Sequence, residues 1–166
     1  MARTTSVTTT ALLAVLALSV PQHAAAAGLQ DLLQAAKVTT EKNGAAYNVY
    51  VNLGNGDAQG VIVMEDVLGT TDIKVVSVLA PLLTLPKGPI SAAMQRAMFT
   101  GQSELALGKV ISLDQGASTL VLYQSAFLLA DATPQDLTLH LAVAALSARD
   151  LKKSLGKVQK GEAGEG

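Results

Sequence analysis

The chain has 166 residues, 49% hydrophobic but only 3% aromatic, with no tryptophan, no cysteine and a formal charge of −1. That length supports one domain with a real core, which here must be built from Leu, Val, Ile and Ala. The near-neutral charge argues against a nucleic-acid binder, and the missing cysteine excludes disulfides, thiol chemistry and lipid attachment through a thiol.

Residues 1–27 read as a secretory signal peptide. Arg3 supplies a thin positive start, Ala11–Val20 a compact apolar run, Pro21-Gln22-His23 a break, and Ala24-Ala25-Ala26-Ala27 a small-residue cleavage site. The rival is an uncleaved anchor, but the apolar run is short for a span of ~20 residues. The expected address is therefore exported, periplasmic or extracellular, with no stable membrane span after cleavage. Disulfides being impossible, the exported domain must be held by its core alone.

After cleavage, Leu29, Leu32, Leu33 and Ala36 recur at helical spacing and predict a short helix ending near Lys37. Glu41–Gly44 is a turn signal. Tyr47, Val49, Val51 and Leu53 alternate with polar neighbours, predicting a half-buried strand. Gly54-Asn55-Gly56-Asp57 then turns the chain into a return strand, Gly60–Met64. The two glycines are a turn and not a dinucleotide fingerprint, because the third glycine, Gly60, is one place late and a strand follows.

Val67–Asp72 is a second connection and Ile73–Ala80 a third strand. Pro81 forbids a central strand beyond it, so Pro81–Pro89 reads as a crossover loop. Ile90, Met94, Ala97 and Met98 mark a helix ending before Gly101. The pair Met94 and Met98 suits core filling or an adaptable binding surface. Glu104–Leu113 and Ser118–Leu128 are two further strands split by Asp114–Ala117. The second is apolar on both faces and so should be central or covered on both sides.

Thr133 and Pro134 start the last helix, and Asp136 complements its dipole. Leu137, Leu141, Ala144, Ala148, Leu151 and Leu155 fall on one stripe. Leu139, Val143 and Leu146 point the other way and ask for a second partner. The fold class is α+β: helix, three antiparallel strands, helix, two strands, helix, with one sheet packed by helices over residues 28–156. Residues 157–166 read as a disordered polar tail.

The opening Leu29-x-x-Leu32-Leu33, the meander ending in Leu79-Ala80-Pro81-Leu82, Met94-Gln95-Arg96-Ala97-Met98, the strand pair around Gly116 and Asp131–Leu137 follow one another in a familiar order. In this order the chain resembles the type III secretion chaperone-like fold, which includes the Tir-chaperone and YbjN families. The resemblance covers roughly residues 28–156. It implies a small homodimer that binds segments of other proteins and catalyses nothing. The export signal and near-neutral charge depart from the cytoplasmic, often acidic members.

Chemistry is sparse. His140 is the one histidine after residue 27, and its spacing from Asp136 suggests a helix-surface pair. Glu65, Asp66 and Asp72 read as solvated loop acids rather than a cation site. Ser154-Leu155-Gly156-Lys157 matches a Ser–Lys motif in letters only. No catalytic, cofactor-binding or metal residue is assigned and no cofactor is expected.

The sequence thus predicts an exported, non-catalytic protein-binding or chaperone-like module, a homodimer holding a segment of a partner protein. Leu139, Val143, Leu146, Met94 and Met98 are its expected partner or dimer interface. A carrier of a small apolar ligand is the alternative. An enzyme would need a polar pocket gathering groups such as Tyr47, Tyr123 or His140.

Overall fold

The computed structural model describes residues 28–54, 56–105 and 107–161, so the signal-peptide assignment lies outside the described residues. Six strands form one antiparallel sheet in the order β1-β2-β3-β4-β6-β5, with three helices among the described residues. The strands are β1 (Thr40–Asn43), β2 (Ala46–Gly54), β3 (Asp57–Val67), β4 (Lys74–Pro86), β5 (Lys109–Asp114) and β6 (Ser118–Leu128). The helices are α1 (Leu29–Ala35), α2 (Ala92–Ser103) and α3 (Pro134–Gln159). The α+β class with a single antiparallel sheet is as the hydrophobic periodicities predict.

The core lies between one sheet face and α3. Val49, Val61, Val63, Val76, Val78, Val121 and Tyr123 meet the whole predicted stripe Leu137, Leu141, Ala144, Ala148, Leu151 and Leu155. Leu29, Leu32 and Leu33 of α1 and Met94 of α2 close its sides. Alternation along each strand supplies one apolar side chain per two residues, and the ladder registers bring these onto a common face. Thr133 starts α3 with a full capping box. Its hydroxyl accepts from the Asp136 amide at 3.2 Å, and its own amide donates to the Asp136 carboxylate at 2.9 Å.

Several expectations need correction. The turn signal at Glu41–Gly44 hides a short edge strand, β1, which turns tightly at Gly44 (φ 62°) into β2. The strand ending at Ala80 runs on to Pro86 with an irregularity between Pro81 and Leu83. Pro81 is tolerated because its missing donor faces β3, whose pairing with β4 has already stopped at Ile62–Leu79.

Helix α2 passes through Gly101 to Ser103. Gly101 marks a close approach, since a Cβ there would collide with Leu151 of α3. The strand expected from Glu104 starts only at Lys109, and Glu104–Gly108 is a connection turned at Gly108 (φ 84°). Helix α3 continues through Gly156 to Gln159, beyond the expected end of the domain.

Candidate functional site

Strands β5 and β6 differ in length. Pairing begins at Lys109–Gln124, so Ser125–Leu128 of β6 has β4 on one side and no strand among the described residues on the other. The Leu129 amide donates to the Lys74 carbonyl of β4 at 3.0 Å. Alternate residues therefore turn the other way, and the peptide groups of Ala126 and Leu128 face the open edge.

A groove of about 440 Å³ follows this edge, bounded by the end of β3 and the turn after it (Asp66–Gly69), the connection entering β5 (Leu107–Lys109) and His140 of α3. Buried Val75 and Ser77 of β4, with Ala126 of β6, lie on its floor. Large apolar side chains gather at the same end of the sheet: Val67 (49% exposed), Leu68 (54%), Ile73 (47%), Leu107 (36%) and Leu128 (50%). Such a cluster is far from the scattered single exposures of an ordinary surface.

Beneath α3 a chain of polar groups supports the groove wall. The Tyr123 hydroxyl donates to the Leu107 carbonyl, which fixes the connection entering β5. Burial pushes that phenol up, opposed by the hydroxyls of Ser125 and Ser147 beside it. His140 Nδ1 lies 3.0 Å from Ser125 Oγ, and its ring stacks at 4.5 Å on Phe127. Burial lowers the His140 pKa, against the raising effect of the Asp136 charge. A cation-free ring is thus favoured where helix, strand and groove meet.

The Ser125–His140 contact has the spacing of a nucleophile–base pair, but Ser125 is only 3% exposed. Asp136 cannot both orient the imidazole and cap the helix, since its carboxylate bonds the Thr133 amide and hydroxyl at 2.9 and 2.7 Å. A satisfied buried polar contact accounts for the geometry. The expected Asp136–His140 surface pair is replaced by these two separate arrangements.

Of the acids expected as a solvated loop, Glu65 lies in β3 and pairs with Lys74 at 2.7 Å, which holds its carboxyl below the usual range. Asp66 accepts from the Val67 amide at 2.8 Å. Among the described residues no three His, Asp or Glu are grouped to hold a cation.

The expected interface residues divide. Leu139 and Leu146 are exposed on α3, Leu139 in a shallow depression with Ala36 and Pro134, Leu146 above the α2–α3 groove. Val143 is half-buried against the core, Met98 likewise, and Met94 is inside it. Met94 is a core residue, since the α2 stripe that carries it is the one α2 turns inward. No helix among the described residues is long and apolar enough to cross a membrane.

No protein-family model matches the chain. No curated protein matches it either. Among solved structures, the crystal structure of YbjN from E. coli is similar with a TM-score of 0.44 and 13% identity, over 81% of this chain and 90% of that one.

Proposed function

We propose that this chain is a non-catalytic binding module that holds an apolar segment of a partner protein in the groove at the β3–β4 end of its sheet. The observation that carries the reading is a concavity lined by Val67, Leu68 and Leu107, with exposed Ile73 and Leu128 at the same end of the sheet and the peptide groups of Ala126 and Leu128 without a strand partner among the described residues. Apolar rim and open ladder together suit a chain segment, which offers both side chains and backbone.

Selection of random dodecapeptides tests this, using the wild-type chain and a Leu68→Asp/Leu128→Asp variant that remains folded. The expected result is enrichment of apolar peptides by the wild type alone. Equal enrichment by both chains, or none by the wild type, defeats the reading.

Homodimerisation belongs to the same proposal. Leu139 and Leu146 are two helical turns apart on the outward side of α3 and supply a stripe separate from the groove. Light scattering on the wild type and on Leu139→Glu/Leu146→Glu decides it: a dimer that the variant abolishes supports it, and monomers in both cases refute it. The exported address rests on residues 1–27. N-terminal sequencing of chain recovered from envelope and medium tests it, with cleavage after Ala27 expected and an intact Met1 the contrary result.

A further inference from the structure

We propose that the groove at the β3–β4 end takes the free C-terminal tail of a partner protein, laid antiparallel along β6 with its terminal carboxylate at Lys109. The proposal rests on the reading of that groove as the binding site and names the part of the partner that fills it.

The open edge is a slot with one closed end. It runs along Ser125–Leu128, about 13 Å of strand. At the Gln124 end the connection Leu107–Lys109 shuts it. Gly108 lies so close to the Gln124 carbonyl that a Cβ there would collide with it, and the Tyr123 hydroxyl holds the Leu107 carbonyl in place. A segment lying on the edge is collinear with β5 and meets this connection head-on. A chain that stops there fits, whereas one that continues must bend out of the ladder.

Charge decides which terminus arrives. Lys109 lines the closed end, is exposed and makes no ion pair among the described residues. Asp66 is the carboxylate among the lining residues, and the strand registers place it in the row of Val75 and Leu128, at the other end of the slot and three strand spacings from β5. The two positions are therefore about 20 Å apart, well beyond the Debye length of ~10 Å at 0.1 M salt, and Asp66 leaves the Lys109 charge available. Because β5 runs antiparallel to β6, a segment running the same way as β5 presents its C-terminus to Lys109, a carboxylate to an ammonium. The reverse orientation brings two cations together. The peptide groups of Ala126 and Leu128 then take the ladder and Lys109 takes the terminal charge.

The test uses an apolar dodecapeptide with a free C-terminus from the selection above, its C-terminal amide, and forms extended by Gly-Gly at either end. Titration against the whole chain is expected to give about a fivefold weaker Kd for the amide, the size of one exposed ion pair. The C-terminal extension should lose at least as much, and the N-terminal extension should bind unchanged. In Lys109→Gln the acid falls to the affinity of the amide, while Lys109→Arg keeps the difference. Urea unfolding checks that both variants remain folded.

Acid and amide of equal affinity for the wild type overturn the proposal, and so does a difference that survives in Lys109→Gln. A C-terminal extension that binds as tightly as the parent marks the occupant as an internal segment and overturns it as well. In each of these cases the peptide is still bound and the binding reading stands. Affinity that weakens as protein concentration rises assigns the groove to a second copy, against the proposal. No binding of any form defeats both.

Discussion

Shortening Leu68 and Leu128 should weaken binding in the groove without unfolding the domain. Their exposures of 54% and 50% mean that roughly half of each side chain remains to be covered. Full burial of a leucine contributes about 1.5–3 kcal/mol, so covering the remaining half contributes about 1 kcal/mol per residue. Leu68→Ala/Leu128→Ala therefore forfeits about 2 kcal/mol, which corresponds to roughly a 30-fold higher Kd. Isothermal titration of a selected apolar dodecapeptide reads this directly, with urea unfolding as the control for stability. Leu139→Ala, on the far side of α3, should leave the Kd unchanged. A folded double variant whose Kd moves less than about threefold refutes the assignment of the rim as the contact surface.

The remaining predictions concern the frame that holds the groove. Thr133→Ala removes one arm of the capping box and should cost about 1 kcal/mol in urea unfolding; no loss means the box is solvated away. Gly101→Val should destabilise by about 1–3 kcal/mol through overpacking against Leu151, despite valine's better helix propensity, and a stabilised variant contradicts the close α2–α3 approach. His140 has a folded pKa below its ordinary value of 6.5, so the unfolded chain takes up the proton more readily. Its contribution to stability is present above pH ~6.5 and is lost as pH falls through the lowered folded value. The lowered carboxyls Glu65 and Asp136 lose theirs only at more acid pH. Between pH 7 and 5, His140→Gln should flatten the stability curve measured by urea, and an unchanged slope places the proton uptake elsewhere.

What was legible in the sequence follows from how locally each feature is encoded. The inward stripe of α3 and its cap are set by residues within one helix, and periodicity found all of the stripe but Ala145, which is buried beside it. β1 was missed because Thr40–Asn43 is polar and exposed throughout; an edge strand with no buried face leaves no alternation to read. The extension of β4 was missed because a proline's cost depends on which neighbour it faces, and that is a property of register. Gly101 and Gly156 look alike as stop signals, yet one is a packing contact with Leu151 and the other lies within the last turns of α3.

The groove was illegible for a deeper reason: no residue in it is unusual for its own element. Leu107 was placed in a strand with Leu105, whereas Gly108 turns the chain and a collision with the Gln124 carbonyl and Tyr123 would follow from any larger residue there. That one glycine goes with a short β5, and among the described residues β6 has no second strand partner beyond Gln124. A strand of eleven residues beside one of six leaves ladder groups that this neighbour does not pair. One cue was available in the strand itself, since Ser125 between Tyr123 and Phe127 breaks an inward apolar alternation and demands a polar partner. That partner, His140, lies across the sheet–helix interface and pins α3 over the stretch that has lost its neighbour. The open edge is thus held in shape by a buried polar contact from above while remaining accessible from the side, an arrangement that favours adding a segment there over collapsing the edge.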